Sequence, residues 1–187
     1  LIPVIIALMV YACVYYYLKS RKVLPHVIDF MGPCIMIKTE RVGFFDTLAR
    51  PKKLLYAYAT AGVLITLLCA VVVTVMFLVS GILSLTVQTD PIPPQDLLLI
   101  PGLNSYVPST FAVWFALFFA MIIHEAGHGI ISRVEKMRVK STGLLTLIIP
   151  IGAFVESYGE DVEKAALGSK LRMFAAGITN NMVVGTI

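Results

Sequence analysis

Phe111 to Ile131 reads FAVWFALFFAMIIHEAGHGII, an apolar run that ends in the motif His124-Glu125-Ala126-Gly127-His128. About 20 predominantly apolar residues suffice to cross a bilayer as a helix, so the run is predicted to be a membrane span. A helix brings residues four apart to nearly the same side. Two imidazoles at that spacing can grip one Zn²⁺ at roughly 2.0 to 2.1 Å each, with the intervening glutamate beside the metal's water. An ionisable group near mid-membrane costs at least about 2.5 to 3.5 kcal/mol, and three on one turn need a compensating partner. A divalent metal is the natural one. The competing reading is a polar patch that pairs with another helix of a transporter or scaffold.

The rest of the 187-residue chain agrees with a membrane setting. It is 58% apolar and 14% charged, with a mean hydropathy of +0.88, where soluble domains carry about 25% charged residues. Leu1 to Leu18, about Leu54 to Leu83, and Phe111 to Ile131 are each long enough to span, and Phe174 to Ile187 looks like the start of a fourth span. The chain therefore reads as a fragment cut inside a helix. Leu1 to Leu18 runs into Lys19-Ser20-Arg21-Lys22 rather than a small-residue cleavage site, and is read as a retained span instead of a signal peptide. The expected fold is mainly α, of multi-pass transmembrane helices, organised as 1–53 (first helix and basic loop), 54–110 (second helix and Pro-rich loop) and 111–187 (the core bearing the motif).

The 15 Lys and Arg residues fall either between the first and second spans or after the third, and none lies between the second and third. By the positive-inside rule that common side is cytoplasmic, which puts the N-terminus outside and the motif near the inner surface of a cell membrane. At 1.5 Å rise per residue His124 lies about 10 Å from the cytoplasmic end of its helix at Ile131, so water is expected to enter from that side. Tyr15, Tyr16 and Tyr17 suit an interfacial aromatic belt at the same boundary. The net charge of +4 flanks apolar runs rather than forming one basic face, which argues against nucleic acid as a partner. Cys13, Cys34 and Cys69 have neither disulfide-framework nor zinc-site spacing.

Gly143 to Val155, GLLTLIIPIGAFV, is too short to span and is interrupted by Pro150 and Gly152. Two short strands around a Pro-Ile-Gly turn are expected there. Their backbone at membrane depth must be satisfied by protein or a wet cavity, which places them beside the HExxH helix. Ser157 to Met173 is expected to be a short surface helix, with Ser157 and Glu160 as a capping box and Glu160 four residues before Lys164. Gly177, Asn181 and Gly185 form an i, i+4, i+8 stripe that allows close helix approach, with Gly127 and Gly129 as the matching surface. Asn181 comes to about the depth of His124, either as an interhelical hydrogen bond or as a group binding substrate backbone or oxyanion.

In this setting His124 and His128 are the candidate metal ligands and Glu125 the candidate general base. Catalytic zinc normally takes three protein ligands. Glu156, Glu160 and Asp161 read more simply as solvated surface charges, so the third ligand is expected beyond residue 187. His26 has no partner at ligand spacing.

With HEAGH in a membrane helix, PIGAF at 150–154 and AAGxxxN at 175–181, the sequence resembles the site-2 protease family of intramembrane zinc metalloproteases, from roughly Gln88 to the end. The PGLNSYVP stretch is similar to archaeal and related prokaryotic members. The resemblance implies a strand pair beside the active site and cleavage of a membrane-spanning protein substrate within or near the bilayer. It also implies zinc on His124 and His128, catalysis by Glu125, a role for Asn181, an aspartate third ligand from a later Asp-Gly motif, and a possible PDZ domain farther along. Ile178 stands where many members have proline. A prenyl-protein-processing type of membrane zinc peptidase, with a downstream glutamate as third ligand, is the alternative enzyme.

Overall fold

The computed structural model describes residues 2–21, 23–86 and 92–186. Gln88 to Pro91, the start of the expected Pro-rich loop, lie outside the described residues. The chain order is α1 (Ile2–Arg21), β1 (Ile28–Met31), β2 (Cys34–Thr39), α2 (Phe44–Leu48), α3 (Lys52–Ser84), a 3₁₀ turn, α4 (Phe111–Val134), β3 (Val139–Leu147), β4 (Ile149–Ser157), α5 (Gly159–Lys164) and α6 (Leu167–Gly185).

Helices α3 and α4 are long and apolar enough to cross a membrane, and the protein itself covers few of their side chains. Leu64, Leu68, Phe77 and Ile82 of α3 are all more than 60% exposed, a surface that water does not favour. α4 starts on Thr110, whose side-chain oxygen accepts from Val113 N–H. It ends where Lys136 takes a left-handed conformation (φ 64°) and Met137 N–H closes on Ser132 C=O at 2.8 Å, a helix-terminating geometry that satisfies a last-turn carbonyl.

The expected strand pair is half of a larger sheet. All four strands are antiparallel in the order β1-β2-β3-β4. β1 and β2, read above as part of a basic loop, are joined by Gly32 (φ 57°) and Pro33. The sheet thus joins the 1–53 segment to the 111–187 segment. The hairpin turn also falls elsewhere than expected. Strand β4 begins before Pro150, and the chain reverses at Ile148 with φ 67°. Pro150 stands opposite Thr146 and Gly152 opposite Leu145, which leaves Ile151 as an extra residue in a bulge. Proline is tolerated there because β4 is an edge strand, where a missing N–H breaks no second ladder.

α4 lies between α6 and the sheet, and α3 packs mainly on α6 while also touching α4. Ala49, Ala59, Ile131, Val134, Met137, Met173 and Ala176 form the core under the C-terminal half of α4. A smaller cluster of Val42, Phe45 and Val139 joins α2 to the sheet. Tyr11 of α1 donates to Pro33 C=O at 2.6 Å and Tyr15 to Gly32 C=O at 2.7 Å, tying α1 to the β1–β2 turn.

Three local expectations are corrected. Ser157 is no helix cap: Tyr158 precedes α5 without a side-chain cap, and Ser157 Oγ instead meets Ser132 Oγ at 3.1 Å. The expected helix of 157–173 breaks at Ala165 and Ala166, both extended, and Leu167 starts one continuous helix through Gly185. Of the small-residue stripe, Gly177 and Gly127 do lie between α4 and α6, but Gly129 packs on Phe45 of α2 and nothing described comes within 4 Å of where a Gly185 side chain would begin.

Candidate metal centre and active site

Helical spacing alone puts His124 and His128 on one side of α4. Their ring centroids are 4.9 Å apart, and the ligand atoms of His124, Glu125 and His128 all fall within 4.8 Å of one another. Each ring is held from behind by α6. His128 Nδ1 lies 2.8 Å from Met173 C=O. A carbonyl only accepts, so this nitrogen carries the proton and Nε2 presents a lone pair.

His124 Nδ1 faces the side-chain amide of Asn181 at 3.2 Å, with the amide nitrogen turned toward the ring. Asn181 Oδ1 is then buried without a partner. Oxygen and nitrogen of an amide are assigned from the bonds around them. Exchanging the two lets Oδ1 accept from His124 Nδ1–H and leaves His124 Nε2 with a lone pair as well, with the amide nitrogen then in the position that has no protein partner. Both histidines then match the usual arrangement of metal-binding imidazoles, in which the second nitrogen donates to an oxygen.

The two Nε2 atoms converge over Gly177. A Cβ built there would stand 2.5 Å from His124 Nε2, 2.6 Å from His124 Cδ2 and 2.6 Å from His128 Nε2, so the missing side chain is what leaves space beside the Nε2 edges of both rings. A neighbouring strap locks α4 against its partners. Tyr58 of α3 donates to Asn180 Oδ1 at 2.7 Å, and Asn180 Nδ2 donates to Ile123 C=O at 3.0 Å, one residue before His124. Gly127 makes the approach possible, since a Cβ there would lie 2.7 Å from Asn180 Nδ2. Tyr58 and the Met173 carbonyl carry no motif signal, whereas Gly177 is the glycine of the AAGxxxN stretch; a lone Tyr–Asn pair within apolar helices is itself a sign of interhelical bonding.

Glu125 points to the other neighbour. Its Oε2 accepts from Val155 N–H of β4 at 3.0 Å, so the edge of the sheet reaches the motif. Two of the acids weighed as ligands, Glu156 and Asp161, are engaged elsewhere. Glu156 is bound by Lys140 at 2.8 Å and Ser141 at 2.9 Å, and the Lys140 ammonium holds its carboxyl below the usual range. Asp161 takes a fork from Arg138 at 2.8 and 2.9 Å, which lowers its pKa to about 2. Among the described residues, the metal-capable cluster is His124, Glu125 and His128. The donor set, the two oriented imidazoles and the space over Gly177 fit a zinc ion, with two protein nitrogens supplied by this segment.

Residues 112–187 match peptidase family M50. This is the site-2 protease family, the one that the HEAGH, PIGAF and AAGxxxN stretches resemble, and the match points to a metallopeptidase. It begins at 112, so the PGLNSYVP stretch lies outside the matched M50 residues. The chain is 36% identical over 70 residues to an uncharacterized protein of Methanocaldococcus jannaschii, an alignment that covers 37% of this chain and 19% of that protein. No solved structure matches the chain.

Proposed function

We propose that this chain is the core of an intramembrane zinc metalloendopeptidase that hydrolyses peptide bonds of membrane-spanning protein substrates. The observation that carries the reading is the convergence of two pre-oriented imidazole Nε2 atoms over a bare glycine, with the Glu125 carboxylate at their side. His124 and His128 hold the ion, oriented by Asn181 and by the Met173 carbonyl respectively. Zinc, when bound, polarises water and the scissile carbonyl. Glu125 takes the proton from the attacking water and passes it to the leaving amine, the general acid–base role that its place in HExxH suits. Asn181 is assigned to His124 rather than to the oxyanion, because its amide is within reach of the ring.

A third ligand, an aspartate beyond residue 187, completes the coordination in this reading, and the basic side of α4 faces the cytoplasm. A substrate helix hides its carbonyls in internal hydrogen bonds and must unwind locally before cleavage. The free edge of β4, whose Val155 N–H already meets Glu125, suits an unwound segment that pairs as an added strand. The interior strand β3 is closed to this use by β2. The test is cleavage of a membrane-spanning reporter by the zinc-loaded full-length protein. Glu125→Gln is expected to abolish it with fold and zinc content intact; equal cleavage by Glu125→Gln would overturn the assignment.

A further inference from the structure

A cavity of about 520 Å³ lies between α4 and the face of the sheet turned toward it, within the roughly 300 to 1,000 Å³ of small-ligand sites. Ile37, Phe44, Ile122, Leu144 and Ala153 line it, and Glu125 stands in its wall. The polar groups around it are already engaged. Lys38 Nζ is bound to Asp29 at 2.8 Å, Thr142 Oγ1 donates to Phe154 C=O, and Thr39 Oγ1 accepts from Arg41 N–H. Such a wall rewards apolar surface and, apart from the Glu125 carboxylate, offers a charged group no charged partner that is not already paired.

Its location narrows the occupant. Glu125 must meet the water that attacks the cleaved bond, and consecutive Cα atoms are only about 3.8 Å apart, so a residue flanking that bond brings its side chain to this cavity. Ala153 is the small side chain of the β4 wall. It pairs with Leu144 across the β3–β4 ladder, so the two share a sheet face and side chains at both positions set how deep the space is.

Resting on the peptidase reading above, we propose that this cavity is the side-chain pocket for the substrate residue next to the cleaved bond, selecting a large apolar residue there, with Ala153 and Leu144 as the residues that set its size. The experiment uses the zinc-loaded full-length protein in liposomes and membrane-spanning reporters that carry Phe, Leu, Ala or Asp in turn at each position flanking the cleaved bond. At one of the two positions Phe and Leu are expected to exceed Ala and Asp by about tenfold or more in kcat/KM, the scale on which apolar pockets discriminate. Ala153→Leu is expected to reverse the Phe-over-Ala preference at that position, and Leu144→Ala to strengthen it, so either variant carries the test if the other fails to fold. Unchanged preference in the folded variants, while wild-type cleaves and Glu125→Gln does not, overturns the pocket but leaves the peptidase standing. Labelling of the cavity by a photoactivatable acyl chain, with unchanged preference, assigns it to lipid and also overturns the proposal. Absence of any Glu125-dependent cleavage removes the peptidase reading and the pocket with it.

Discussion

Replacing Gly177 by alanine adds a single methyl group at the point where the two imidazoles converge. The new Cβ would stand 2.5 Å from His124 Nε2 and 2.6 Å from His128 Nε2, whereas ordinary contact begins at 3.4 Å. The difference, 3.4 − 2.5 = 0.9 Å, has to be absorbed by the rings or by a shift of α6. Ligand distances at a metal site are held to about ±0.2 Å, so a displacement several times larger spoils one or both bonds. The expected result is a loss of zinc affinity of at least about 100-fold, or about 2.7 kcal/mol at 1.36 kcal/mol per decade. Competition against a chromogenic chelator reads the affinity, and circular dichroism shows that the helices remain. Gly185→Ala, on the same helix but with open space around it, is the control and is expected to bind zinc like wild-type. Wild-type zinc affinity in folded Gly177→Ala would refute the reasoning, because no ion would then sit where the two lone pairs point.

Three further outcomes are expected. Tyr58→Phe leaves the half-buried Asn180 Oδ1 without its donor, which costs about 1 kcal/mol; chemical denaturation in detergent should register the loss, and the strap is dispensable if stability is unchanged. Asp161, held by the Arg138 fork at a pKa of about 2 against an ordinary 3.8, contributes stability that is present above pH 3.8 and lost as pH falls through 2. The melting temperature of wild-type minus that of Asp161→Asn should therefore shrink between pH 5 and pH 2, and a difference that grows on acidification would contradict the sign. Ile148 turns the β3–β4 hairpin with φ 67°, a conformation that costs an L-residue about 1 to 2 kcal/mol and glycine almost nothing. Ile148→Gly should raise the unfolding free energy by up to about that amount, less the greater unfolded-state freedom of glycine, and a lowered unfolding free energy would show that the Ile148 side chain contributes more than the strain costs.

Much of the site was readable because it follows from helical spacing and from the expense of polar groups among apolar ones. HEAGH in a 21-residue apolar run specified α4, the imidazole pair and the glutamate, and Asn181, expected near His124, does lie against its ring. The sheet was only half readable. Ile28 to Met31 and Cys34 to Thr39 are short apolar stretches among basic residues, and β3, the strand that joins their hairpin to the rest of the sheet, lies more than 100 residues from its partner β2, so no local pattern announces that pairing. The turn at Ile148 was missed for a related reason: proline and glycine usually mark turns, but on an edge strand Pro150 is tolerated within the ladder and a bulge absorbs the misfit. The backbone groups that finish the site, the Met173 carbonyl and the Val155 amide, have no sequence signature, since every residue carries a carbonyl and every residue but proline an N–H. The hairpin's role in binding substrate remains tied to the peptidase proposal, whose carrier is the metal centre.

The measurement that bears most directly on that centre is the X-ray absorption spectrum at the zinc edge of the purified full-length protein. The account predicts one zinc per chain, ligated by nitrogen and oxygen only, with the multiple-scattering signature of two imidazoles that is lost when both His124 and His128 are replaced by alanine. A protein that purifies folded and active without zinc, or with zinc on sulfur and unaffected by those replacements, would contradict it.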